Sequence, residues 1–146
     1  MGNNLVSLYE YAESKKIDVD WFSMQESPSL SVLLPDGSCA IAIDPWKMDG
    51  IAMETECMAH ELGHCERGAF YNKYATCDIV QMHENKADKW AIQRLIPPDE
   101  LDEAIADGCD TYYALAERFG VTEDFARKAV CLHVYGNLDC KDYLPM

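Results

Sequence analysis

The sequence predicts an α+β fold, a small antiparallel sheet followed by helices, on three observations. Short apolar or alternating runs separated by turn residues fill positions 17–43, the pattern of strands with one buried face. Beyond position 50 the apolar residues recur at three- and four-residue spacing, the period of amphipathic helices. On the first of those helices His60 and His64 stand one turn apart with Glu61 beside them, so it presents chemistry as well as a core face.

Each element has its own reason. Asn4 is placed to cap an opening helix whose Leu5, Leu8, Tyr9 and Ala12 make one apolar face. Ile17-Asp18-Val19-Asp20-Trp21 alternates as a strand does. Leu30 to Leu34 and Cys39 to Ile43 flank Pro35-Asp36-Gly37-Ser38, a turn sequence that joins two strands as a hairpin. Met53, Cys57, Met58, Leu62 and Cys65 then mark a helix that Gly68 is placed to end. A second helix opens at Glu84 and runs until Pro97-Pro98 stops it. Asp99 is placed to cap a short helix carrying Leu101 and Ile105, ended by Gly108. Thr111 to Leu132 has helix-turn-helix punctuation: Gly120 as stop, Thr122 as N-cap, and Leu115, Ala116, Phe119, Phe125 and Val130 as the apolar set. No repeat or linker interrupts the chain, so residues 1–146 are expected to form a single domain with segment 111–135 packed on it.

The chemistry starts from His60-Glu61-Leu62-Gly63-His64. At about 100° per residue the two imidazoles lie roughly 40° apart around the helix, so both reach a single ion. Neutral imidazole suits Zn²⁺, and a hydrolytic zinc site takes three protein ligands and leaves a fourth position for water. Glu61 then has the role of general base on that water. Glu84 is the expected third ligand, because Glu84, Ala87, Asp88, Ala91 and Leu95 share one helix face and small residues allow close approach to another helix. Asp88 is placed to accept the second N–H of a ligating histidine, His60 or His64. Two histidines one turn apart can arise by chance, but the helical context of this pair points to a metal; the Glu84–Asp88 face alone is matched by a solvated acidic stripe beside Lys86 and Lys89 and gains its meaning next to the histidines. Cys57 and Cys65, on the same helix as the histidines, are rival thiolate ligands. Candidates to stabilise an oxyanion are Tyr71, Tyr74, His83 and His133, none fixed by spacing. The segment Tyr71 to Met82 joins the two ligand-bearing helices and is expected to border the cleft.

These residues resemble the ImmA/IrrE metallopeptidases of phages, mobile elements and stress-response loci. The similarity rests on the His60–His64 motif and on Glu84-x-x-Ala87-Asp88-x-Trp90-Ala91 followed by Leu95-Ile96-Pro97. Asp88 stands where asparagine is more usual, and the Glu84–Asp88 spacing also resembles thermolysin-like gluzincins. Tyr113 to Thr122 looks like the helix-turn-helix-like segment that follows the catalytic helices in many members, so the resemblance spans about residues 30 to 135. It implies a minimal zincin-like fold and an edge strand that receives substrate as an added strand. It also implies one Zn²⁺ per chain, with Mn²⁺ or another divalent ion as the alternative, and site-specific cleavage of a transcriptional repressor.

Composition bounds the remaining classes. A chain of 146 residues, 49% hydrophobic, suffices for one core. The net charge of −14 repels phosphate backbones, and Arg127 and Lys128 are answered by Glu123 and Asp124, so direct nucleic-acid binding is not expected. The same balance favours a basic protein partner, such as a DNA-binding repressor. No secretory leader or membrane-spanning run is evident, and the cytoplasm is the expected compartment. Seven cysteines without a C-x-x-C read as reduced, mostly buried small hydrophobes. Two rival functions remain: a non-catalytic metal-bound module that sequesters a regulator, opposed by the intact Glu61, and a DNA-binding regulator using the C-terminal helices, opposed by the charge.

Overall fold

A computed structural model describes residues 2–24, 26–72, 74–136 and 138. Helix α1 (Gly2–Ser14) leads into strands β1 (Asp18–Trp21), β2 (Ser29–Leu33) and β3 (Cys39–Ile43). Then come helices α2 (Ile51–Arg67), α3 (Cys77–Leu95), α4 (Pro98–Ala106), α5 (Tyr112–Phe119) and α6 (Glu123–Val130), which continues as a π-helical turn over Cys131–Tyr135. No helix among the described residues is long and apolar enough to cross a membrane.

The sheet has the order β1-β3-β2. β2 pairs antiparallel with β3 through the expected hairpin, whose Leu34 N–H donates to the Ser38 carbonyl at 2.8 Å. β1 pairs parallel with β3, so the sheet is mixed rather than wholly antiparallel. The chain reverses between β1 and β2 and again in the hairpin, and β3 enters between the other two strands, running the same way as β1.

Register decides what each face meets. Ile41 and Ile43, 2% and 0% exposed, belong to the core under α2, and their partners across the ladder are Ser31 and Ser29. Opposed residues point to the same face, so the two serines turn inward. Leu30 and Val32 turn outward and stay 50% and 40% exposed.

Helix α2 is the centre of the packing, touching α1, α3, β2 and β3. Its Met58 and Leu62 are fully buried, each contributing about 1.5–3 kcal/mol. Gly63 marks the crossing with α3: a Cβ there would lie 2.5 Å from the Ala87 carbonyl oxygen, so only glycine permits this approach.

Several boundaries differ from the sequence expectation. α1 starts before Asn4, which therefore caps nothing and donates its side-chain N–H to the Phe119 carbonyl at 2.9 Å, tying α1 to α5. α3 begins at Cys77 rather than Glu84, because the Thr76 hydroxyl accepts the Ile79 N–H as its cap. In α4, Pro97 rather than Asp99 holds the cap position, with Pro98 in the first turn. The helix-turn-helix punctuation holds: Thr111 and Thr122 cap α5 and α6, and Gly120 ends α5 at φ 70°. Glu56 of α2 accepts both the N–H and the hydroxyl of Thr122, fixing α6 to α2. Burial holds the Glu56 carboxyl above its ordinary value in spite of those bonds.

The cysteine expectation is corrected. Cys39, at the start of β3, and Cys65, in the last turn of α2, form a disulfide with their Cα atoms 5.9 Å apart. They are 26 residues apart in the chain, and the packing of the sheet on α2 brings them together. Cys57, Cys77 and Cys109 are free.

Candidate metal centre

Two helices supply the donors. α2 is closed by Gly68 in the left-handed conformation, φ 59°, its N–H reaching the His64 and Cys65 carbonyls, and this sends the chain back past His64. α3 returns antiparallel across the Gly63–Ala87 contact and sets Glu84 opposite the two histidines. His60, His64 and Glu84 each offer a ligand atom within 4.8 Å of the others. His60 Nε2 lies 3.1 Å from His64 Nε2 and 2.9 Å from Glu84 Oε1, and His64 Nε2 lies 3.0 Å from Glu84 Oε2. Tetrahedral donors about 2.0–2.1 Å from an ion stand about 3.3–3.4 Å apart, so a small expansion of this triangle accommodates zinc.

The far sides of both rings fit that use. His60 Nδ1 is 2.7 Å from Asp88 Oδ1, and His64 Nδ1 faces the Ala69 carbonyl. An Nδ1–H donated to each acceptor leaves both Nε2 lone pairs aimed at the shared point. Asp88, expected to serve one histidine or the other, thus stands on His60. The Ala69 carbonyl on His64 was not foreseen; it depends on the turn after Gly68 rather than on any side chain.

The cluster attracts positive charge. Burial opposes protonation of His60, but the Asp88 and Glu84 carboxylates outweigh it and hold the imidazole up at about 10. His64 is raised too, its burial outweighed by Glu84 and the Ala69 carbonyl. Hydrogen bonds from the two imidazoles hold Glu84 far below the usual carboxylate range.

Glu61, 6% exposed, faces a cleft of about 400 Å³ that it shares with His60, His64, Glu84, Phe70 and Tyr71. Ser29 Oγ donates to Glu61 Oε2 at 2.7 Å. No motif spacing links residue 29 to residue 61, and sequence reasoning passed it over. Tyr71 donates its hydroxyl to Glu84 Oε2 at 3.0 Å; burial and that carboxylate raise its pKa, keeping it a donor. His83 stacks on Tyr71 with ring centroids 6.1 Å apart. Tyr74, 82% exposed, does not line the cleft, and His133 is used elsewhere, its Nε2 lying 2.7 Å from the Ile96 carbonyl. Of the segment Tyr71 to Met82, the part from Cys77 onward belongs to α3, and the connection lies between Gly68 and Cys77. Neither cysteine is among the donors: Cys65 is in its disulfide and Cys57 lies away from the triangle.

Residues 41–130, from β3 to the end of α6, match the family model of the IrrE N-terminal-like domain, peptidase family M78. No curated protein matches the chain.

Proposed function

The chain belongs to the IrrE N-terminal-like family of peptidases, and from that premise we propose that it is a zinc-dependent metalloendopeptidase cutting a transcriptional repressor or similar regulator at a defined site. One observation carries the reading: two imidazole Nε2 atoms and a carboxylate from separate helices converge, each imidazole backed by an acceptor, beside a buried glutamate in a cleft. A family of metallopeptidases and a donor set suited to a divalent ion agree on the chemistry.

In this reading His60, His64 and Glu84 hold the ion, and their two nitrogens and one oxygen favour zinc, with Mn²⁺ the alternative where availability decides. Such an ion, when bound, supplies Lewis acidity and acidifies water beside it. Glu61 takes the proton of the attacking water and later returns it to the leaving nitrogen. Asp88 and the Ala69 carbonyl keep the histidine rings turned inward. Tyr71 is the oxyanion donor best supported by position, with a hydroxyl at the rim of the donor triangle. β2, paired on one side only among the described residues, receives the substrate backbone as an added strand next to Glu61.

The net charge of −14 favours a basic substrate such as a DNA-binding repressor. Asp124 answers both cations of α6, Arg127 at 2.8 Å and Lys128 at 3.8 Å, which supports packing or partner docking for the C-terminal helices over contact with DNA.

A Glu61→Ala chain is expected to keep its metal and lose cleavage, and unchanged cleavage of a candidate repressor would defeat the assignment. Glu84→Ala is expected to lose zinc stoichiometry, with full retention counting against the third ligand.

A further inference from the structure

We propose that Ser29 is a positioning residue for Glu61, so that strand β2 both flanks the bound substrate and holds the base that acts on it. The inference rests on the peptidase reading above. It concerns a residue outside the 41–130 span that matches the family.

The contact is short and enclosed. Ser29 Oγ lies 2.7 Å from Glu61 Oε2, with the two residues 9% and 6% exposed. Among the described residues no other hydrogen bond to the Glu61 carboxylate is present. A glutamate's terminal torsion is broad and two-fold, whereas a general base must stand within about 2.6–3.2 Å of the proton it takes. A charge-assisted hydrogen bond on Oε2 removes that rotation and leaves Oε1 without a protein partner, open to the cleft.

The serine is itself held from both sides. It stands opposite Ile43, which is fully buried, in the ladder with β3. On its other side the Ser27 hydroxyl donates to the Ser29 carbonyl at 2.6 Å, fixing the backbone where the strand begins. The strand forgoes apolar burial for this arrangement: Ser29 and Ser31 point inward while Leu30 and Val32 are left to solvent. An inward leucine would place hydrocarbon against a buried carboxylate, which is costly unless the carboxylate is hydrogen-bonded. Leu30 and Ser31 continue the same strand along the cleft, so a segment laid on β2 is held in register with the base.

The test compares zinc-loaded full-length wild type with Ser29→Ala, Ser29→Thr and Ser29→Cys. The substrate is a quenched-fluorescent peptide selected from a randomised library for wild-type cleavage, and zinc content and melting are measured in parallel. The expected result is a ~10- to ~100-fold loss of kcat in Ser29→Ala, with KM within about twofold and zinc content unchanged. Ser29→Thr, which keeps the hydroxyl, is expected to return kcat to within about threefold of wild type. Should Ser29→Ala lose zinc or fold poorly, Ser29→Cys decides, since it keeps the volume and weakens the donor. Wild-type cleavage with undiminished kcat in the folded, zinc-loaded Ala and Cys variants overturns the positioning role alone. Failure of the wild type to cleave any library peptide in a Glu61-dependent way overturns the peptidase reading and this inference with it.

Discussion

Replacing Gly63 by alanine probes the contact that sets the donor triangle. The added Cβ would lie 2.5 Å from the Ala87 carbonyl oxygen and 2.9 Å from Ala87 Cα, both main-chain atoms of α3 that no side-chain rotation can move away. Ordinary contact begins at 3.4 Å, so the two helices must separate by roughly 0.9 Å at this crossing. Glu84 is one turn before Ala87 on α3 and is carried away from His60 and His64, which stay on α2. Overpacking of this kind costs about 1–3 kcal/mol, and about 1 kcal/mol returns from the better helix propensity of alanine. A net loss of up to about 2 kcal/mol lowers the melting temperature by up to about 8 °C in a chain of this size. Loosening one of three donors is expected to weaken zinc binding by about 10- to 100-fold. Calorimetry of the metal-free protein and zinc competition against a chromophoric chelator read the two effects separately. A Gly63→Ala protein that melts at or above the wild type and binds zinc equally well would refute the reasoning, since propensity would then be the whole effect.

Three further perturbations follow from named contacts. Asp88→Ala removes the acceptor at His60 Nδ1 and is expected to weaken zinc affinity by about 10- to 100-fold with the fold intact; an unchanged chelator-competition curve contradicts this. Removing the Cys39–Cys65 bond by Cys39→Ala with Cys65→Ala releases a constraint across 26 residues and is expected to lower unfolding stability by about 3.5 kcal/mol; a urea curve coincident with the wild type contradicts it. Glu56 has a folded pKa above its ordinary 4.5, so the folded state binds its proton more tightly than the unfolded chain. Its contribution to stability is full below 4.5 and is lost as pH rises through the folded value. Against Glu56→Gln, which keeps an acceptor for Thr122, the wild type should therefore lose relative stability as pH rises above 4.5 through the folded value, and a flat difference contradicts the burial argument.

The sequence revealed most of what is set by neighbours one helical turn away. His60, His64, Glu84 and Asp88 were legible because helical spacing places them on two facing stripes, and Thr122, Gly68 and Gly120 because caps act locally. What escaped depends on elements meeting across the fold. The Cys39–Cys65 disulfide requires β3 to lie against the end of α2, and nothing in the spacing of seven cysteines encodes that. The parallel placement of β1 is settled by which edge of β3 the hairpin leaves free. Ser29 was hidden for a related reason: the apolar residues of its strand, Leu30 and Val32, are those that alternation alone would turn inward, and the register with β3 turns the serines inward instead. The start of α3 was missed because Cys77, Ile79 and Met82 in its first turns stay exposed and mark no core face, although Thr76 supplies a cap.

The central claim, that side chains of α2 and α3 share one divalent ion, is tested most directly by anomalous diffraction at the zinc edge from crystals of the zinc-loaded chain. The account predicts one peak per chain, about 2.0–2.2 Å from His60 Nε2, His64 Nε2 and a Glu84 carboxylate oxygen, with Glu61 beside it and outside the ligand set. A zinc ion bound at full occupancy by other residues, or no ordered ion at this triangle after loading, would contradict it.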